Sequence, residues 1–586
     1  MSSSEELPAN LAVRPVILRH LPVLRAAIDR LHIREVLERH LPVDPRSAVS
    51  DADCVTLMIT NILHGRVALY DTGEWLAGTD ADVLLWDGCP STAFTDDRLG
   101  KCLDHIFEVG TDSLFGAVAA RFMETQPAGQ QMLVPTDTTS LTLHGAYDGV
   151  EPRAGAPVPA RGHSKDFRPD LKQLIYGMSL HGPTGVPLCA SMLDGNTADA
   201  RANRIHIDKL AQLLPAAADV TIVADCKFVD TTTLGWARRS GFHYVSLLPR
   251  TFALRDRLVE ELRTSEIPLE EIGRYPGRRK ADPEKIYRGV SALRPLDVTD
   301  PETGLSESVY HSLVVVWSSS QAALFDDALE GRLKKEQTRF LSAAERLSGH
   351  RFGCATDARV EADALAASVD WHTLDVEVVQ MTAPAKRTKR GRPRKGEPLP
   401  EESFWVARLK GFAVAQETID RARYHASHFV LVCSRAGDPE WGAKRVLQSY
   451  RAQQSIEGHT GFRWLKDAAE VAPVFLKLPH RIAALGMVFL LALMVRNWIE
   501  GTLRAKLAES GQSLPDMNDR PTARPSAEAA MRLFALVQGV HVHMDGRLVA
   551  RQVHRLSADA EKVIVLLGFE PSIYWTPRRK LPKWAG

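Results

Sequence analysis

The chain has 586 residues, too many for a single hydrophobic core, so about three or four domains are expected. Its 45% hydrophobic and 25% charged content is that of an ordinary globular protein, and 73 basic against 72 acidic residues leave a formal net charge of +1. Seven scattered cysteines, with no C-x-x-C pair, argue against a disulfide framework or a zinc ribbon and suit a reducing cytosol. The polar, acidic start MSSSEELPANLAV lacks the basic and apolar regions of a signal peptide, so none is expected.

Residues 1–14 read as a flexible N-terminus and 15–128 as a helical N-terminal domain. LPVLRAAIDRLHIREVLERHL carries apolar residues at three- and four-residue spacing until Pro42 and Pro45 break it, and Thr95 is placed to cap the helix that follows. Over 129–250 the period changes. QMLVPTDTTSLTLHG, LKQLIYGMSLHG and VPLCASMLDG read as three successive strands, TADARANRIHIDKLAQLLP as a helix, DVTIVADCKF as a buried strand, LGWARRSG as a short helix and FHYVSLLPR as a strand. Three strands, a helix, then strand-helix-strand is the order of an RNase H-like α/β core.

The pattern stalls after Pro249. Residues 251–428 read as an insertion subdomain, partly β, with the strand YHSLVVVWSS and a long charged helix. Buried-strand character resumes at Phe429, and 429–500 read as the second part of the core. Residues 501–586 read as a helical C-terminal region and tail. The fold class expected is therefore multidomain α/β, an interrupted RNase H-like core between helical N- and C-terminal regions. The apolar run Ile482 to Val495 has 14 residues where a spanning helix needs about 20, so it is expected to be a buried helix. His541-Val-His543 on a strand has no third ligand in view and reads as an ordinary surface strand.

Within the insertion, residues 386–397, KRTKRGRPRKGE, place seven Lys or Arg in ten positions. Such a segment cannot pack a core, and its charges repel unless something negative lies against them. Arg390-Gly391-Arg392-Pro393 resembles an AT-hook core, in which two arginines enter the narrow minor groove of A·T-rich DNA. Lys386, Arg387, Lys389, Arg390, Arg392, Arg394 and Lys395 are thus candidate DNA contacts.

Two carboxylates interrupt apolar strands: Asp137 in LVPTDTTSL and Asp225 at the end of TIVAD. Carboxylates are poor β-formers and costly to bury, so their placement calls for a reason. Metal-dependent phosphodiester chemistry supplies one, because it needs oxygen ligands that hold two divalent ions about 4 Å apart. If the two strands are parallel neighbours, both side chains emerge together, and Glu457 from a later helix would complete the set.

At this point the chain resembles the DDE transposases of bacterial insertion sequences, in the branch with a long insertion before the catalytic Glu and a Tyr-Arg-Glu-Lys signature around it. LHGRVALYDTGEWL and FTDDRLGKCLDHIFEVG resemble that group's N-terminal domain. PTDTTSL and TIVADCKF resemble its first- and second-Asp strands, and GHSKDFRPDLKQLIYGMSLHGPTGVPLCASMLDGNTAD its signature stretch. The resemblance implies Asp137, Asp225 and Glu457 as catalytic, metal-holding residues, with Mg²⁺ as the ion and Mn²⁺ as an alternative. It implies a homodimer on double-stranded DNA, acting on element ends and target DNA in a bacterial cytoplasm. Lys165 and Arg168, with Tyr450, Arg451 and Lys466, join the candidate DNA contacts. The third segment departs from the pattern: Gln453 stands where the signature has Arg, and Trp464 where it has Lys. A DNA-binding protein of this fold without catalysis, and an RNase H-like nuclease without strand transfer, are the competing readings.

Overall fold

The computed structural model describes residues 11–577 apart from 128, 144–146, 148–152, 163–167, 217, 266, 278–281, 386–400, 454–455, 457–460, 472–477 and 546, and for 467–471 the backbone alone. The architecture is mixed α/β. After strand β1 (Leu11–Ile17) the N-terminal region is helical, and side-chain caps explain where its helices begin. Ser50 and Asp53 form a reciprocal capping box at the start of Asp51–Thr60, and Thr95 Oγ1 accepts the Arg98 N–H at 3.2 Å to start Asp96–Val109.

A nine-stranded sheet begins at β2 (Met132–Leu143). The next two strands, β3 (Lys172–Leu180) and β4 (Pro187–Leu193), follow as antiparallel neighbours. Helix Asp199–Leu213 leads to β5 (Val220–Ala224) and helix Thr231–Arg239 to β6 (His243–Leu247). Strand β5 lies parallel beside β2, and β6 parallel beside β5, so this half reads β4-β3-β2-β5-β6 with β3 alone reversed. The short apolar β5, VTIVA, is buried at every position, as a parallel strand covered on both faces must be.

The stretch 251–428 contributes in two places. Strands β7 (Glu270–Tyr275), β8 (Lys285–Thr299) and β9 (Ser306–Ser318) widen the central sheet instead of standing apart from it. The reason is the middle of β9, buried from His311 to Val316 and therefore in need of neighbours on both edges. The ribbon β10 (His372–Pro384) and β11 (Glu401–Val414) packs with helices Ser319–Ser348 and Ala355–Ala367 around a small core of its own, including Phe340, Ala362 and Val376. Strand β12 (His428–Cys433) then completes the sheet as β6-β12-β9-β8-β7, with every one of these pairings antiparallel. Pro384 pairs with Glu401 at one end of the ribbon, and the basic stretch belongs to the chain that connects the two strands there; residues 386–400 lie outside the described ones.

Helix Pro479–Ser510 is the spine of the largest core. It is long and apolar enough to cross a membrane by length and composition, and 94% of its apolar window is buried inside the protein. That burial agrees with the expectation for Ile482 to Val495. Gly486 permits its close seat on the sheet: a Cβ there would stand 2.4 Å from Met192 Cε, and Tyr176 donates its hydroxyl to Gly486 O at 3.2 Å.

The C-terminal region adds to its helices an antiparallel hairpin, Gln538–Met544 with Arg547–His554, whose first strand pairs with β1. Here the surface-strand expectation for His541 fails. Its ring is buried against the N-terminal region, with Nε2 2.6 Å from Asp80 Oδ2. Sequence periodicity carries no trace of a partner 461 positions away.

Candidate active site

The two candidate aspartates are brought together by strand register. Strands β2 and β5 run parallel with Met132 opposite Val220 and Pro135 opposite Val223. Carried two residues further, the same register sets Asp137 opposite Asp225. Alternation along β2 puts Asp137 on the face of Leu133, which packs on the core beneath helix Ala443–Arg451.

Local chemistry fixes both groups. Strand β5 ends at Ala224, and Asp225 caps the short turn Cys226–Phe228, its carboxylate accepting the Lys227 N–H at 2.9 Å. The Asp225 carbonyl accepts the Ser246 hydroxyl at 2.6 Å, which ties the turn to β6. Asp137 Oδ1 accepts the Thr138 N–H at 2.7 Å. Burial, and then the Asp225 carboxylate, push the Cys226 thiol above its ordinary range, so it is no thiolate nucleophile at neutral pH.

The helix Ala443–Arg451 delivers the third segment to this corner. Gln453 is buried, and with its amide oriented to satisfy both groups Nε2 donates to Ala224 O at 3.1 Å while Oε1 accepts the Asp225 N–H at 2.8 Å. The residue in the signature's Arg position therefore clamps the backbone of the second aspartate. Glu457 lies outside the described residues, as does Lys165. Among the described residues no cluster of three or more His, Cys, Asp or Glu forms a ready metal cage.

Asp199 escaped the sequence reading. It opens helix Asp199–Leu213 and accepts the Thr138 hydroxyl at 2.9 Å, one residue from Asp137. Its sequence context, a helix start, gave no sign of that contact.

Beside Asp225 a cleft of about 880 Å³ opens between the core strands and β8–β9, lined by Cys226, Lys227 and Gln453 on one side. Tyr450 and Arg451, both expected as DNA contacts, line it as well, together with Arg250 and Lys285, which sequence reasoning did not single out. The other expected contacts lie elsewhere. Arg168 is exposed and makes two hydrogen bonds to Asp170, at 2.8 and 2.7 Å. Lys466 is half-buried on helix Phe462–Val471 and lines an apolar cavity with Tyr176, Ile482 and Phe489, while Trp464 is buried with the Arg496 guanidinium 5.8 Å from its ring centre. Lys386, Arg387, Lys389, Arg390, Arg392, Arg394 and Lys395 lie outside the described residues.

Residues 14–120 match a domain of unknown function, DUF4277, which covers most of the helical N-terminal region. The search of curated proteins finds no match.

Proposed function

We propose that the protein is a DNA transposase of the insertion-sequence type, which cleaves element ends and joins the freed 3′-hydroxyl to target DNA. The observation that carries this reading is the register of the adjacent parallel strands β2 and β5, which, carried two residues past Pro135 and Val223, sets Asp137 opposite Asp225. Support comes from the strand order β4-β3-β2-β5-β6 with one reversed strand, which is the arrangement expected of an RNase H-like core. The donor set also fits the ion that the resemblance implies: two carboxylates set opposite each other offer hard oxygen ligands. Asp137, Asp225 and Glu457 would hold Mg²⁺, or Mn²⁺ in its place. When bound, the ion supplies charge stabilisation at phosphate oxygens and lowers the pKa of water.

The chain's own residues hold and orient. Gln453 keeps the Asp225 backbone in place, and the cations of the neighbouring cleft neutralise backbone phosphates. In the first step water attacks the scissile phosphorus; the bond to the 3′-oxygen breaks, leaving a 3′-hydroxyl and a 5′-phosphate. In the second step that 3′-hydroxyl attacks a target phosphodiester and displaces the target's own 3′-oxygen. One ester bond is exchanged for another, so no nucleotide cofactor is consumed. A homodimer on DNA would place both element ends in one complex.

The test is a nicking and strand-transfer assay on DNA carrying the sequences that flank the gene. Asp137→Ala, Asp225→Ala and Glu457→Ala should each abolish nicking with Mg²⁺ while leaving DNA binding largely intact. A variant that cuts at near wild-type rate shows its residue to be misassigned, and cutting without joining would make the protein a nuclease.

A further inference from the structure

Asp199 is the first residue of helix Asp199–Leu213, a position where an acid ordinarily serves the helix itself by facing the positive end of its dipole. Here the carboxylate reaches across to another element. The residue before it, Ala198, brings no side-chain cap, and Asp199 Oδ1 accepts the Thr138 hydroxyl on β2 at 2.9 Å. The Thr138 N–H in turn donates to Asp137 Oδ1 at 2.7 Å. Thr138 is thus the middle of a chain that begins at Asp199 and ends on the first candidate metal ligand. The second aspartate has the same neighbour. The turn Cys226–Phe228, which Asp225 caps, packs against this helix. After burial and the Asp225 carboxylate, the Asp199 charge adds to the rise of the Cys226 thiol above its ordinary range.

A second observation is how firmly the helix is seated. Its sheet-facing side, with Ala202, Asn203, His206, Ile207 and Leu210, is buried. His206 stands about two turns beyond Asp199 on that side, and its Nδ1 lies 3.2 Å from the Ser179 hydroxyl on β3. Gly177 leaves the room for the ring, because a Cβ there would collide with Nε2. About one turn further, Lys209 Nζ donates to Ala190 O at 2.8 Å and to the Ser191 hydroxyl at 2.6 Å, both on β4. Contacts with β2, β3 and β4 therefore fix the helix at three points along its length, so Asp199 is delivered to Thr138 by a rigid body.

We propose that Asp199 is a positioning residue for Asp137: by holding the Thr138 hydroxyl it fixes the N–H that sets the Asp137 carboxylate, and so orients one ligand of the candidate metal site in advance. Carboxylates that hold a metal depend on hydrogen-bonded neighbours of this kind, whose loss costs about 10- to 100-fold in metal affinity or activity. Asp199 acts through Thr138 and not as a ligand. Adjacent residues of a strand point to opposite faces, so Thr138 meets this helix on the face of β2 that Asp137 leaves. The inference rests on the transposase reading above and deepens it, adding to the three acids a fourth that works on one of them through a threonine.

The test uses the full-length protein and two readouts: Mn²⁺ binding, followed by the electron paramagnetic resonance signal of the free ion, and Mg²⁺-dependent nicking of DNA carrying the sequences that flank the gene. Asp199→Ala and Thr138→Val should each weaken Mn²⁺ binding and lower the nicking rate at saturating DNA by about tenfold, with KM for DNA unchanged. The double variant should be no worse than either single change, because both break the same bond. Asp199→Asn, whose amide oxygen still accepts the hydroxyl, and Thr138→Ser, which still donates one, should each stay within about threefold of wild type in both readouts. These two variants also keep the test sound if Asp199→Ala fails to fold, which circular dichroism reads. The proposal is overturned if Asp199→Ala or Thr138→Val binds Mn²⁺ and nicks like wild type, or if their losses add in the double variant. It is overturned equally if Asp199→Asn is as defective as Asp199→Ala, since the charge and not the hydrogen bond would then be the cause. Wild-type protein that neither binds Mn²⁺ nor nicks would overturn the transposase reading, and this inference with it.

Discussion

Gln453 offers the most direct probe of how the site is held. Gln453→Leu keeps the side-chain bulk but removes the donor to Ala224 O and the acceptor for the Asp225 N–H. Leaving a buried polar group unpaired costs about 1–3 kcal/mol each, so the two together weaken this corner by roughly 2–6 kcal/mol. A whole-protein melting temperature is a poor readout, because a chain with several cores need not unfold in one step. Hydrogen exchange of the peptide spanning β5 and Lys227 reads the corner directly. A local loss of about 2 kcal/mol should quicken exchange there by about 30-fold, while the ribbon β10–β11 serves as an unaffected control. Nicking should fall by about tenfold to a hundredfold, the scale that follows a small misplacement of a catalytic group. Unchanged exchange across residues 220–228 would show that Gln453 merely fills space.

Two further outcomes are expected. Replacing Lys389, Arg390, Arg392 and Arg394 with Ala should lower the slope of log K against log salt by roughly 2 to 4 on all DNA, with an added loss on A·T-rich sequences; an unchanged slope would make the stretch a solvated loop. Burial, helped by the charge of Lys209, lowers His206 from 6.5 to about 3. The unfolded chain therefore takes up a proton below about pH 6.5 that the folded protein refuses, so this stabilisation is present above that pH and is lost as pH falls towards 3, at about 1.4 kcal/mol per pH unit. His206→Gln should flatten the pH dependence of denaturant midpoints between pH 6 and 4, and identical slopes would refute the assignment.

What was legible in the sequence was local. Alternation and apolar runs marked β2 to β6 and the crossover helices in the right order, and Thr95 marked its helix start, because each signal is written within about ten residues of the element it shapes. Two acids inside apolar strands pointed to a shared site before their pairing was known, and the β2–β5 register, extended two residues beyond Pro135 and Val223, sets Asp137 opposite Asp225. What escaped was long-range. That β12 would lie between β6 and β9, and that β7 to β9 would widen the sheet, depends on edge pairing between segments whose own patterns are satisfied by any apolar neighbour. Asp199 was hidden for the same reason: its partner, Thr138, lies 61 positions away.

The departures from the transposase signature and the widened sheet are linked by geometry. Arg451 is the last residue of helix Ala443–Arg451 and Gln453 lies in the turn beyond it; Arg451 reaches Tyr275 and Tyr287, while Gln453 reaches the Asp225 backbone. At 453 a glutamine can fold back onto the Asp225 backbone, a role for which an uncharged donor and acceptor is suited and a guanidinium, which only donates, is not. The cation at 451 then needs a support of its own, since a lone Arg on a helix end would sweep through solvent. Tyr275 and Tyr287 supply it, and they reach the end of helix Ala443–Arg451 only because β7 and β8 extend the central sheet to that side. On the proposed reading, the added strands carry a phosphate-facing arginine to the rim of the catalytic corner. A variant that restores Arg at 453 should therefore not rescue Arg451→Ala: it would give up the Asp225 clamp without gaining the tyrosine stack. Recovery of both DNA binding and nicking in the double variant Arg451→Ala/Gln453→Arg would show that the two positions are interchangeable and that the sheet extension has no part in holding the cation.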